Sequence, residues 1–310
     1  MALSQCAGPI SDQGRELTEH GTAMFPVACF LDDFSTMTVP WHWHDELEAV
    51  VVTQGAAVVA VESLQFTLSR GDGFFINAGA LHAAWDANGS GARFHSVVFH
   101  PRFVGAGAES VFHLRYVAPV LENKALKIFL FDETLPWRAE ATEAIERAWQ
   151  SCAQEPAGYE FAARDALSRL MFLIQSHTAA QSVAPRARTL RNDERLKEML
   201  GFIHAHYAQN LSAADIAAAA SVSVSEALRC FAQTIGVTPV SYLKQYRVHK
   251  AAERLRAGTE KIADVGALCG FQDASYFTKT FREMKGVAPA QYRRQCADDS
   301  QTRAQKTPPA

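Results

Sequence analysis

Residues Asp215–Tyr242 read DIAAAASVSVSEALRCFAQTIGVTPVSY, and Asp264–Tyr292 read DVGALCGFQDASYFTKTFREMKGVAPAQY. The second stretch repeats the first. Ser225, Phe231, Gly236, Val237, Pro239 and Tyr242 return as Ser275, Phe281, Gly286, Val287, Pro289 and Tyr292. Upstream, Asp215-Ile216 returns as Asp264-Val265 at an offset one shorter, so the second copy carries one more residue in its internal turn. A repeat of this size is one supersecondary unit used twice. Each copy reads as a short helix, a tight turn, a second helix with a central Phe, then Gly-Val-x-Pro. Helix–turn–helix is a compact way to present one helix to a DNA groove.

The flanking residues set the boundaries. Asp193–Tyr207 reads as an opening helix with Leu196, Leu200, Ile203 and Tyr207 on one face. Ser212 with Asp215, and Ser223 with Glu226, have the spacing of capping boxes. Thr238-Pro239 starts a helix that runs to Ala257, because Pro at the first helical position loses no hydrogen bond. Its 19 residues span about 28 Å at 1.5 Å each, near the ~34 Å of one turn of B-DNA. In the second copy, Ile262–Leu268 supports and Cys269-Gly270 turns. Asp273 caps Ala274–Lys285, and Gly286 ends it.

The run Lys261–Arg294, with both repeats, closely resembles the C-terminal signature of the AraC/XylS family of transcription regulators. The resemblance spans about 100 residues. It implies seven helices, two reading helices in successive major grooves, and binding to double-stranded promoter DNA. Carried over by position, the base-facing residues are Ser225, Glu226, Leu228 and Arg229 in the first reading helix, and Ser275, Tyr276, Thr278 and Lys279 in the second. Arg229 suits bidentate bonding to guanine. Phe231, Phe271, Phe277 and Phe281 are expected in the core. Ala227 stands where the family has a larger apolar residue, and Leu228 where it has a polar one. Leu228 then either meets a thymine methyl or reports a rotated helix.

Charge divides the chain in the same way. Residues 186–296 hold 17 Lys and Arg against 10 Asp and Glu, whereas 1–185 hold 11 against 21. A basic half joined to an acidic one fits a nucleic-acid binder fused to a domain that avoids nucleic acid. The six cysteines form no Cys-x-x-Cys, which argues against a zinc finger or disulfide framework and for a reducing compartment. Met1–Arg15 lacks the pattern of a signal peptide, and no apolar run reaches the ~18 residues of a membrane span. The expected location is cytoplasmic.

Residues 25–103 read as short strands: Leu47–Thr53, a turn at Gly55, Ala56–Glu62, Phe66–Leu68, Phe74–Ile76 and Phe94–Phe99. Close spacing predicts a small antiparallel barrel. Helices are predicted over 137–153 and 159–177, the second with a stripe of Phe161, Leu167, Leu170, Met171 and Ile174. They serve either as a dimerisation face or as a cover for the barrel. His42, His44 and Glu48, with His82 after Gly71–Gly79, resemble the two motifs of cupin barrels, whose metal-binding members use three His and one Glu. His42 and His44, two apart on a strand, would share a face that Glu48 can join. The set suits Zn, Fe(II), Mn or Ni. Asn77 stands where Pro is usual and Asp86 where Asn is usual, so little or no metal is expected, and the polar residues would instead line a pocket. Trp41, Trp43, Phe66, Phe74, Phe75, Trp85 and Phe94 are pocket or core. No residue is assigned to an effector.

The fold class is therefore α+β. A cupin-like effector-sensing and dimerisation domain (1–180) leads through a linker (181–192) to a double helix–turn–helix domain (193–296) and a disordered tail (297–310). The function expected is that of a DNA-binding transcription regulator responsive to a small molecule, with RNA polymerase and a second copy as further partners and no catalysis. The alternative is a metal-dependent cupin oxygenase or isomerase carrying a DNA-binding tail.

Overall fold

The structure is a computed structural model that describes Glu16 and residues 20–35, 37–178 and 187–296, without the side chains of 187–191 and 257. The tail at 297–310 and the first half of the linker, 181–186, lie outside the described residues. The fold separates into two compact units, up to Lys197 and from Glu198 onward.

The first unit holds two antiparallel sheets. The five-stranded sheet runs β1 (Val27–Asp33), β8 (Arg93–Phe99), β3 (Leu47–Gln54), β6 (Gly73–Ile76), β9 (Ile128–Phe131). The four-stranded sheet runs β2 (Val39–His42), β7 (His82–Asp86), β4 (Ala56–Val61), β5 (Leu64–Ser69). The predicted barrel is thus a cupin-like pair of sheets, each with its own ladder. β3 and β4 are consecutive yet belong to different sheets. The chain crosses between them at Gly55, whose φ is +66° and whose Cβ position lies 2.9 Å from Ala92 backbone. Only glycine passes there without strain.

Period-two alternation sorts β3 between two cores. Leu47, Ala49 and Val51 face the helices, and Val50 and Val52 face the second sheet, in one core with its Val59, Val61 and Leu68 and with Phe74 of β6. Phe74 and Phe94 make an edge contact within this inter-sheet core, with centroids 5.7 Å apart. Trp41, Phe74, Phe75 and Phe94 are buried, and Trp43, Phe66 and Trp85 half-buried.

A helical turn α1 (Arg102–Gly105), a π-helical turn (His113–Val117) and α2 (Ala118–Glu122) precede β9. Helix α3 (Arg138–Gln154) then covers the outer face of the five-stranded sheet, and α4 (Tyr159–Thr178) packs against α3. The stripe predicted on α4 packs within its own unit, against α3, in the same hydrophobic core as the sheet. Phe161 departs from it: it is 82% exposed. Six residues at about 100° each place it about 120° round the helix from Leu167, so it belongs to the solvent face.

Helix α5 (Ala187–His206) begins six residues before Asp193, so the last part of the expected linker is helical. Ala, Arg and Leu there are strong helix formers without an apolar stripe to announce them. The second unit continues with α6 (Ala213–Ala219), α7 (Val224–Thr234), α8 (Pro239–Ala257), α9 (Ile262–Leu268) and α10 (Ala274–Lys285), and residues 289–296 are again helical. The predicted capping residues all cap, but only the first pair completes a box, because the Glu226 side chain turns to Arg229. Ser212 and Asp215 form a full capping box, Ser223 accepts from the Glu226 N–H, Thr238 from Ser241, and Asp273 from Tyr276. Val248, Ala251 and Leu255 of α8 pack with Val265, Phe271, Phe277 and Phe281 in the core of the second copy.

Candidate nucleic-acid interface and effector-domain cluster

The repeat makes two equivalent surfaces. Ala227, Cys230 and Phe231 of α7 are buried, as are their counterparts Phe277, Thr280 and Phe281 of α10. The two helices thus present the same face inward, and α7 is not rotated. The small Ala227 is matched by an exchange across the contact. Where copy two sets Gly266 against Phe277, copy one sets Ala217 and Ala227 at the corresponding positions, all buried. A Cβ on Gly266 would lie 2.7 Å from the Phe277 ring.

With that face inward, the predicted reading residues point outward. Ser225, Leu228, Arg229, Ser275, Tyr276, Thr278 and Lys279 are exposed, and Glu226 is half-exposed. Leu228 at 39% exposure is an apolar group on a polar face, suited to a thymine methyl. Arg229 pairs with Glu226 one turn back on the same helix. A base would therefore compete with Glu226 for the guanidinium. Lys279 is freer, with the Glu283 carboxylate 4.0 Å away. Ala274, Ser275, Thr278, Lys279 and Arg282 line a shallow open groove. Arg282 was not singled out from sequence. Positions 275, 278, 279 and 282 keep the helical spacing that would have found it. Its repeat counterpart is Ala232, so comparing the copies hides it.

Arg247 has a different task. Its Nε donates to the Tyr207 carbonyl at 2.7 Å and its Nη2 to the Gln209 carbonyl at 2.6 Å. It ties the chain following α5 to α8.

In the first unit, His42, His44 and His82 are buried with one ring nitrogen each within 4.8 Å of the others. They converge for a reason other than the one predicted. His42 ends β2 and faces His82 across the β2–β7 ladder, whereas His44 lies beyond the strand. Glu48 comes from the other sheet, on the inward-facing register of β3 shared by Val50 and Val52. The cluster therefore sits at the corner where the chain passes between sheets. Each imidazole is held through Nδ1 against a backbone carbonyl: Pro40 at 2.9 Å, Glu46 at 3.1 Å and Ala80 at 2.9 Å. That leaves each Nε2 for the centre. Glu48 Oε2 lies 3.1 Å from His82 Nε2 and 3.6 Å from His44 Nε2, yet neither nitrogen has a hydrogen bond.

Electrostatics favours ligand-ready protonation states. Burial, and then the neighbouring His82, push His42 down to about 3, leaving it neutral. Burial alone would raise Glu48, but the His44 and His82 imidazoles facing its carboxylate hold it well below the usual carboxylate range. Burial would likewise lower His20, but the Glu16 and Glu46 carboxylates facing its two ring nitrogens outweigh it and push His20 up to about 9.

The two departures from the cupin pattern act elsewhere. Asn77 donates to the Val120 and Leu126 carbonyls at 2.8 and 2.9 Å and accepts from the Ala78 N–H. Asp86 accepts from the Ser90 and Ala92 N–H groups at 2.8 and 2.7 Å, closing the turn after β7.

Comparison with known families follows this division. The AraC-like ligand binding domain matches residues 25–135, and a helix-turn-helix domain matches 216–295. The chain belongs to the AraC family of transcription regulators. It is a DNA-binding transcription regulator with an N-terminal ligand-binding domain. Relatives include the uncharacterized HTH-type transcriptional regulator YdeC of Bacillus subtilis (strain 168), 29% identical and covering 90% of this chain and 96% of that protein. The HTH-type transcriptional activator RhaS of Klebsiella pneumoniae (strain 342) is 25% identical over 82% and 87% of the two chains. Among solved structures, an AraC-type DNA-binding domain protein from Chromobacterium violaceum is 30% identical, covering 33% of this chain and 92% of that one at a TM-score of 0.33. No described helix is long and apolar enough to cross a membrane.

Proposed function

We propose that the chain is a cytoplasmic transcription activator that reads two successive major grooves and whose first unit holds a divalent transition metal as part of its effector site. The observation that carries the metal is the set of three imidazoles anchored through Nδ1, with Nε2 atoms and Glu48 converging from two sheets. Anchoring one ring nitrogen on a carbonyl fixes tautomer and orientation, as metal-ligating histidines require. His42, His44, His82 and Glu48 would hold the ion. Asn77 and Asp86, which argued against it in the sequence, are engaged in loop contacts and take nothing from the site.

When bound, the metal would supply a Lewis-acidic position to which an oxygen-bearing effector can attach. The residues hold and orient; no turnover is part of this reading. In the DNA-binding unit, Ser225, Leu228, Arg229, Ser275, Tyr276, Thr278 and Lys279 meet bases or phosphates, and Glu226 positions Arg229. The chain acts as a homodimer through the outer face of α4, where Phe161 and Phe172 are exposed, and its bound form contacts RNA polymerase. Effector binding shifts the population toward the DNA-engaged arrangement.

The test is fluorescence anisotropy with the DNA upstream of the chain's own coding sequence. Chelator-treated protein is titrated with Zn(II), Fe(II), Mn(II) or Ni(II). A change in DNA affinity that disappears in His44→Ala with His82→Ala supports the reading. Metal bound at well under one equivalent rules it out.

A further inference from the structure

Glu16 lies far from the cupin-like motifs in sequence and beside them in space. Its N–H donates to the Trp43 carbonyl at 2.9 Å, between the two motif histidines His42 and His44. Its side chain is only 8% exposed. Oε2 lies 3.6 Å from His42 Nε2 and 3.5 Å from His20 Nε2. The first contact is too long for a hydrogen bond and faces the nitrogen that His42 leaves for the centre of the triad. Glu48 approaches the His44 and His82 nitrogens, and Glu16 approaches His42. The two carboxylates thus serve different members of the triad.

We propose that Glu16 is a fifth protein ligand of the metal, closing the His42 side of the site. This rests on the metal reading given above. The buried cluster brings Glu16, Glu46 and Glu48 around the triad, with His20 between Glu16 and Glu46. A divalent ion there compensates carboxylates that burial would otherwise penalise. His20 orients Glu16 from outside the ligand set, as a partner beyond the ligands does in metal sites. Two carboxylates among five donors favour ions that accept five or six ligands, Fe(II), Mn(II), Co(II) or Ni(II), over tetrahedral Zn(II). The remaining position is where an effector oxygen would attach.

The experiment uses the full chain, stripped with chelator and titrated with Co(II), whose visible absorption reports ligand number. Wild type should bind one Co(II) per chain with the weak visible bands of a five- or six-coordinate ion. Glu16→Gln should still bind one, but at least about tenfold more weakly and with a changed spectrum. Glu46→Gln, which removes a carboxylate that touches His20 and approaches the triad only at the Nδ1 side of His44, 3.9 Å away, should keep the wild-type spectrum, because Gln retains the Glu46 carbonyl that holds that nitrogen. Circular dichroism of each metal-free variant checks that the fold is retained. A Glu16→Gln spectrum and affinity equal to wild type overturn the ligand role while leaving the metal reading intact. Equal changes in Glu16→Gln and Glu46→Gln also overturn it, because the effect would then be structural. Absence of Co(II) from wild type overturns the metal reading itself.

Discussion

The turn between the two helices of each repeat allows opposite substitutions to be predicted at equivalent positions. Gly270 has φ +83° and Ser221, its counterpart, has φ +53°. For Gly270→Ala the left-handed backbone costs about 1–2 kcal/mol. The new Cβ would lie 2.6 Å from the Tyr207 carbonyl oxygen and 2.9 Å from Arg247 Nε. Those atoms form the 2.7 Å bond that anchors Arg247, and displacing it forfeits about 1.5–3 kcal/mol for a hydrogen bond to a charged group. Together the loss is about 3–5 kcal/mol. For Ser221→Gly the same left-handed term is relieved, and part of the gain returns as glycine's chain entropy. The expected net is about 0.5–1 kcal/mol of stabilisation. Amide hydrogen exchange across 213–234 and 262–285 of the full chain reads both. Gly270→Ala within ~1 kcal/mol of wild type, or a destabilised Ser221→Gly, would refute the account of this turn.

Three further outcomes follow from the same contacts. Arg229→Ala and Lys279→Ala should each weaken specific DNA binding by about 1–3 kcal/mol, with the lost contacts mapping about 10 bp apart; Arg282→Ala should lower the salt slope by about one without relaxing sequence preference. Ala227→Phe should cost about 1–3 kcal/mol by overpacking against Ala217, and adding Ala217→Gly should recover part of it, as thermal melts would show. Asn77→Ala removes a buried loop staple and should destabilise the first unit by about 2–3 kcal/mol, with metal content by elemental analysis unchanged.

The second unit was legible almost residue by residue. Its signals are local: Asp273 caps α10, Gly286 stops it at φ +75°, and Pro239 opens α8. The repeat supplied a second reading of each. The first unit was less legible because its order is non-local. β9 is a four-residue apolar run without alternation, and only pairing with β6 makes it a strand. Phe161 is apolar and close in sequence to the buried stripe of α4, but six residues from Leu167 turn it onto the solvent face. The metal-type residues were legible as types, but their convergence depends on a corner between two sheets. Glu16 had no sequence signal. Its place is set by a bridge to Trp43, and no spacing rule reaches across 27 residues of chain.

Hydroxyl-radical footprinting of the full chain on the DNA upstream of its own coding sequence tests the central claim, that one chain reads DNA with two heads. Two protected patches about one helical turn apart on the same face of the duplex are predicted. Arg229→Ala should clear one patch and Lys279→Ala the other. A single patch weakened by both substitutions, or protection that both leave intact, would contradict the two-headed reading.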